Sequence, residues 1–376
     1  MEPCRRLPRP GPHHAGPPPR PSERTFVMNS LGSLKRSATW PLLLLAAALL
    51  PYVVISGSAR LLAATALIYA LLAASWNLTL GIGGIFNFAH VGFFGVGGYT
   101  MAVATVTWDV NPWMGLLLAT VAGGLAGALA YLPVIRMRGI YIALITFVFV
   151  QLCYYLVLAI PGITGGSSGL TGVPALSIGD FSFAKYSGLG YLWLLGGAVF
   201  LLLVLLRATL RSPFGKSLIA LRDNESLAVS RGMNRIRQHL LAFVLSGAVA
   251  GVTGALYVAY FRVADVTLFS FGFVTLGLSM IFLGGTGHIW GPVLGALIVT
   301  VIDRQLTDLG PARAIIIGVG TLLVLIFLPS GISGLLQDAL DRTRRILRRN
   351  RNESAQTANQ IPASQHSEVE ETTHVR

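Results

Sequence analysis

Few residues in this sequence could do chemistry, and most of them sit in apolar surroundings. Asn77, Asn87, Tyr99 and Thr100 are polar side chains within glycine-rich apolar spans. Such groups either hydrogen-bond a neighbouring helix or line a path for a polar solute. His90, His239 and His288 are isolated on apolar segments, and Cys4 and Cys153 offer neither a disulfide framework nor metal-ligand spacing. Gly215-Lys216-Ser217 has the ending of a phosphate-binding loop, but Leu210 stands where the first glycine is required and no strand precedes it. GIGGIFN from Gly81 lies in an apolar span and is no dinucleotide fingerprint. No catalytic residue is assigned, no metal or cofactor is expected on the chain, and it is not read as an enzyme. If it moves a solute uphill, another subunit must supply the energy.

The charged residues are as informative as the missing ones. Of 376 residues, 53% are hydrophobic and 11% charged, against about 25% charged in an average soluble domain. The chain is therefore an all-α polytopic membrane protein, and its +13 formal charge marks topology rather than nucleic-acid binding. One internal segment, Leu206 to Leu241, is both long and basic, with Arg207, Arg211, Lys216, Arg222, Arg231, Arg235 and Arg237 against Asp223 and Glu225. Ser212-Pro213 is a helix start, with serine as cap and proline in the first turn. That helix is expected to run to about Arg222. Asp223 or Asn224 then caps a second one, Glu225 suits its positive end, and Gly232 supplies the left-handed residue that stops it. The segment reads as two short cytoplasmic helices, about 211–237, shaped for a groove on another protein, or as a solvated basic loop that sets topology alone.

Elements that must position these residues follow from hydropathy. A spanning helix needs about 20 apolar residues, and about ten spans can be placed, near 40–57, 61–80, 88–106, 113–135, 139–160, 190–209, 239–261, 270–286, 291–306 and 313–329. With a basic N-terminus inside, this places Arg136 and Arg138, the 207–238 loop and the arginines of 342–351 on the cytoplasmic side of a plasma membrane, with both termini there as well. Residues 1–39 are Pro/Arg-rich and expected to be disordered, 40–335 form the membrane domain, and 336–376 are basic and then disordered. Met28 opens a more ordinary start and is read as an alternative beginning of the chain.

Glycine complicates the bundle. Gly81 to Gly98 holds seven glycines among aromatics, and Gly284 to Ala296 repeats Gly287, Gly291 and Gly295 at four-residue spacing before and after Pro292. Gly123 with Gly127 and Gly247 with Gly251 do the same. Small residues at that spacing allow close helix approach, and Gly with Pro permits broken or re-entrant helices where protein covers the backbone. Their placement on either side of the central loop suggests two pseudo-repeats around a translocation path. Gly284, Gly285, Gly287, Gly291 and Pro292 join Asn77, Asn87, Tyr99 and Thr100 as candidates for its lining. The 161–186 loop is a docking cap or a connector. Asp303, Arg304 and Asp308 read as interfacial ion pairs.

The stretches NLTLGIGGIFNFAHVGFFGVGGYTMA, RGIYIALITFVFVQL, TGGSSGLTGV, RSPFGKSLIALRDNESLAVSRGMN, LAFVLSGAVAGVTGALY, FLGGTGHIWGPVLGA and LIFLPSGISGLL occur in this order between about 61 and 335. Together they resemble the LivM-type permease of branched-chain amino acid ABC transporters. The resemblance implies a second, LivH-type permease, two ATPases that carry ATP and Mg, and an external solute-binding protein. It makes the central loop the contact with an ATPase, through Pro213, Phe214, Gly215, Arg222, Asp223, Glu225, Ala228 and Gly232. The Glu-Ala-Ala, three residues, Gly pattern of such contacts is met by Ala228 and Gly232, while Glu225 lies one position too far upstream. The binding protein would dock near Thr164, Gly165, Gly166 and Gly169. Relatives in the wider group are associated with urea and short amides, which remain alternative solutes. A self-sufficient carrier or channel is the reading from a different class.

Overall fold

Helices account for most of the described chain because its apolar runs are long and flanked by capping residues. The structure, a computed structural model, describes residues 56–179, 181–310, 312–327 and 331–334. The expected span at 40–57, both tails and Met28 lie outside the described residues. Helix α1, Gly57–Asn77, is capped by Ser56, whose hydroxyl accepts the Ala59 N–H at 3.3 Å. It runs on through a π-helical turn, Leu78–Ile82. Helix α2, His90–Ala102, likewise continues into a π-turn, Val103–Thr107. Asn111 and Pro112 start α3, Pro112–Tyr131. Then come α4, Ile140–Ala159, and α5, Lys185–Arg211. Two short helices, α6 (Pro213–Asp223) and α7 (Glu225–Ser230), precede α8, Arg235–Phe261. The last helices are α9, Phe271–Gly284, α10, Gly291–Gln305, and α11, Ala312–Phe327.

Six stretches among the described residues are long and apolar enough to cross a membrane: Gly57–Ile82, Pro112–Val134, Ile140–Ala159, Gly188–Arg211, Arg235–Phe261 and Ile315–Gly334. Helices α2, α9 and α10 are shorter. Where the sequence suggests broken or re-entrant helices, the interruptions are π-turns at helix ends and the connections 83–89 and 285–290. The glycines of α2 lie inside an unbroken helix.

Size is distributed inside out. On α3 the small residues Gly115, Ala119, Gly123, Gly127 and Ala130 are buried, whereas Leu117, Val121, Leu125 and Leu129 are exposed. Helix α4 exposes Ile140, Leu144, Val148, Leu152 and Leu156 at four-residue spacing. Stripes of this size are foreign to a water-facing surface. Against acyl chains, which are as apolar as leucine, they cost nothing. Inside, backbones touch: a Cβ on Gly123 would overlap the Gly247 carbonyl, one on Gly127 the Phe243 carbonyl, and one on Gly97 the Gly251 backbone. The paired glycines of the two halves thus meet each other, and α8 is held by α3 on one side and α2 on the other.

Contacts between connections sort them into two ends. At one end, Leu170–Thr171 of the 161–184 segment pairs antiparallel with Val263–Ala264 after α8. A small hairpin, Ser177–Ile178 with Phe181–Ser182, follows. The Tyr191 hydroxyl donates to the Ala259 carbonyl at 2.9 Å and accepts the Leu176 N–H at 3.1 Å, and Trp113 Nε1 donates to the Ser177 carbonyl at 2.7 Å. The segment is therefore a folded cap rather than a loose connector. Asp303, read in the sequence as part of an interfacial ion pair, pairs at this end with Arg313 of α11 at 2.9 Å. The other end gathers 78–89, 132–139, 212–234, 285–290 and 331–334, and carries the basic segment.

Candidate functional site

The basic segment folds as its caps predict. Ser212 Oγ accepts the Gly215 N–H at 3.3 Å, Pro213 fills the first turn of α6, and Asn224 Oδ1 accepts the Leu227 N–H at 3.0 Å to start α7. Helix α7 ends on Gly232, at φ 86°, with Gly232 N–H on the Val229 carbonyl at 2.9 Å and Met233 N–H on the Ala228 carbonyl at 3.2 Å. This is the paired-bond ending that only a left-handed residue permits without strain. Gly215, Leu218, Leu221 and Ala228 are buried against the bundle, and Gly215 lies so near Leu210 that a Cβ would sit 2.6 Å from its Cα. Phe214 is half-buried, while Pro213, Lys216, Asp223, Asn224, Ser226, Leu227, Val229 and Arg231 face out.

Arg222 points inward. Its Nη1 donates to the Gly81 carbonyl at 2.9 Å, while Nε and Nη2 both donate to Asp223 Oδ1, at 3.2 and 3.1 Å. Its aliphatic stem lies over Gly84, at φ 65°, where a Cβ would collide with Cγ of the arginine. A Cβ on Gly287, at φ 79°, would be 3.5 Å from the guanidinium. Asn77 completes the junction: its Nδ2 donates to the His288 carbonyl at 2.9 Å and its Oδ1 accepts the Gly287 N–H at 3.1 Å. Helix α6, the α1–α2 connection and the α9–α10 connection therefore meet at one point. Around it Gly284 packs on the Gly291 carbonyl, Gly285 on Gly331, and Pro292 is buried at the start of α10. Arg222 uses its fork on two partners, which a lysine ammonium could not reproduce.

Truncating Asn77 to alanine removes both part-buried bonds to the 285–290 connection, which costs about 1–2 kcal/mol in total. The expected outcome is a lower thermal unfolding temperature in detergent with normal membrane insertion; an unchanged temperature would show that the 285–290 connection is held by other contacts.

Asn87 lies one connection away. Fully buried, its Oδ1 accepts the Ala89 N–H at 2.8 Å and its carbonyl accepts Trp76 Nε1 at 2.7 Å. His90 stacks on Trp76 with ring centroids 5.4 Å apart and sits 2.8 Å from Ser75 Oγ, and the Phe88 N–H donates to Thr146 Oγ1 at 3.0 Å. Tyr99 and Thr100 are not part of this junction. Tyr99 stacks on Phe269 at 5.8 Å, and Thr100 bonds the Val96 carbonyl of its own helix. Thr164, Gly165, Gly166 and Gly169 lie at the opposite end, where a Cβ on Gly169, at φ 68°, would overlap the Ala264 carbonyl beside the strand pair. Glu225 faces the molecule too, paired with Arg138 at 3.0 Å and Arg235 at 3.5 Å, while Arg235 Nη2 donates to the Met137 carbonyl at 2.6 Å. Sequence reasoning missed Ser75, Trp76 and Thr146, which look like ordinary span residues. Arg138 and Arg235 stand out in the sequence as charges, but only the fold pairs both with Glu225.

Apolar helices with outward leucines, joined at one end by a capped basic protrusion that grips two inter-helix connections, define a multi-pass α-helical membrane protein. Residues 58–328 match the family described as branched-chain amino acid transport system / permease component, and the chain belongs to that family. The LivM permease protein of the high-affinity branched-chain amino acid transport system of Salmonella typhimurium is 29% identical over 311 residues, covering 77% of this chain and 73% of the relative. The Escherichia coli LivM protein is 28% identical over the same coverage. A probable LivH permease protein of Methanocaldococcus jannaschii is 27% identical over 70% of this chain and 88% of its own length. No solved structure matches.

Proposed function

We propose that this chain is one of two paired permease subunits of an ATP-binding cassette importer for branched-chain or related amino acids. Its partners would be a LivH-type permease, two ATPases holding ATP and Mg at the basic end, and a solute-binding protein at the capped end near Thr164 to Gly169. Likeness to both LivM and LivH proteins supports the pairing. The basic end is assigned to the cytoplasm because Arg136, Arg138, Arg211, Lys216, Arg231 and Arg237 are all exposed there.

One observation carries the mechanism: α6 is bonded through Arg222 to the carbonyl of Gly81, and through that junction it meets the Asn77 bridge to Gly287 and His288. ATPase closure moves α6 and α7, and the motion passes to the α1–α2 and α9–α10 connections together. These two glycine-rich connections are the equivalent pieces of the proposed pseudo-repeats, and their displacement opens and closes the path. Asn77, Gly284, Gly285, Gly287, Gly291 and Pro292 are its moving wall in this reading. Asn87, Tyr99 and Thr100 act as packing residues behind it.

The test is solute uptake into proteoliposomes that hold this chain with its companion permease and ATPases, the binding protein being added outside. Leucine uptake that requires ATP is the expected result. ATP-dependent uptake of urea or a short amide instead would change the solute and keep the class. Uptake by this chain alone, without ATP, would overturn the reading in favour of a carrier.

A further inference from the structure

The turn between α3 and α4 carries surplus charge in an apolar frame. Arg136 and Arg138 flank Met137 and are exposed, the Arg138 side chain to 76%. Glu225 is the carboxylate that answers Arg138, and it is shared with Arg235. Two guanidinium groups thus divide one carboxylate, Arg136 adds a further positive charge to the turn, and the first turn of α4 contains no acidic side chain. Arg136 makes no ion pair among the described residues. Asp223, the next nearest carboxylate in sequence, is taken by Arg222. Space is open as well, since a Cβ on Gly139 would meet nothing within 4 Å.

What surrounds the charge selects the partner. Leu129 of α3, Leu132 at the start of the turn, and Ile140, Tyr141 and Leu144 of α4 are each more than half exposed, and they flank the two arginines on both sides. They continue into the outward stripes of both helices, so the turn sits where acyl chains give way to headgroups. The outward face of α6 and α7 is different: Lys216, Asp223, Asn224 and Ser226 mix charge signs there, and its large exposed apolar side chains, Leu227 and Val229, are confined to the short α7.

We propose that the α3–α4 turn is a binding site for the headgroup of an anionic phospholipid. Arg136 and Arg138 donate to its phosphate oxygens while its chains lie along Leu132, Ile140 and Tyr141. Glu225 tunes the site by drawing Arg138 toward α7, so lipid binding and the placement of the short helices share one side chain. The proposal rests on the helices spanning a bilayer and is independent of the transported solute.

The experiment uses the full chain, delipidated in mild detergent and offered dioleoylphosphatidylglycerol or dioleoylphosphatidylcholine, with retained lipid counted by native mass spectrometry. Preferential retention of the anionic lipid, weakened by salt, is expected. Each arginine near an anionic surface contributes about fivefold, so R136Q lowers the affinity about fivefold and R136Q/R138Q about thirtyfold, with phosphatidylcholine unaffected. R136Q breaks no ion pair of the described residues, which separates lost binding from misfolding. R304Q, an exposed arginine at the opposite end, should behave as wild type. Equal retention of both lipids by the wild type, or an undiminished preference in R136Q/R138Q, would overturn the site. Loss of ATPase co-purification in R136Q/R138Q with lipid preference intact would overturn it also, by making the turn a protein contact.

Discussion

In the proposed importer, Arg222→Ala should leave an assembled complex that hydrolyses ATP but barely transports. The substitution removes a charge-assisted bond of 2.9 Å to the Gly81 carbonyl, together with the stem that covers Gly84. A hydrogen bond to a charged group contributes about 1.5–3 kcal/mol, so solute moved per ATP should fall roughly tenfold to a hundredfold. On the outward face of α6 and α7, which would meet the ATPases, the change frees the Asp223 carboxylate from its arginine partner and alters no other side chain. Co-purification and hydrolysis rate should therefore stay within about twofold of wild type. Arg222→Lys should fall between the two, since an ammonium can keep the carbonyl or Asp223 but does not span both. The measurement is the ratio of uptake to hydrolysis in proteoliposomes. If uptake and hydrolysis fell together, Arg222 would be holding the loop in shape rather than passing its motion on.

Gly254→Val prevents the bundle from forming. A Cβ at this position would overlap the Phe94 carbonyl and lie 2.9 Å from the Gly98 N, backbone atoms of α2 that cannot move aside as a side-chain tip can. Overpacking against backbone costs about 3 kcal/mol or more, and it strikes where α8 is held by α2. The expected result is loss of the monodisperse peak in size-exclusion chromatography of the detergent-solubilised protein. Gly197→Val is the control: that residue lies on the exposed side of α5 with nothing within 4 Å of its Cβ position, so its yield should match wild type. Equal yields for both variants would mean that α2 and α8 separate more easily than their glycine contact implies.

The glycines show how far sequence reaches. Gly123, Gly127, Gly247 and Gly251 stand out by spacing, and that spacing announces close helix approach. It cannot announce which helix approaches, because a residue without a side chain carries no information about its partner. The structure pairs them with each other, on α3 and α8. Asn77, Asn87, Tyr99 and Thr100 are alike as polar residues in apolar spans, yet only Asn77 reaches the junction with α6. Tyr99 follows it by 22 positions and spends its ring on Phe269.

What the sequence determined by itself was local. Hydropathy decides that the chain lives in a bilayer, because 20-odd consecutive apolar residues have no other stable place. Capping chemistry decides where α6 and α7 begin and end, since Ser212, Pro213, Asn224 and Gly232 act within a turn of their own positions. The tertiary structure alone decided what those helices hold. Arg222 meets Gly81 across 141 residues and Asn77 meets Gly287 across 210. Glu225, which the sequence shows only as a residue suited to the start of α7, pairs across the fold with Arg138 and Arg235. Such pairings depend on how helices stack, and stacking here is set by backbone contacts between glycines, which hydropathy and capping do not encode.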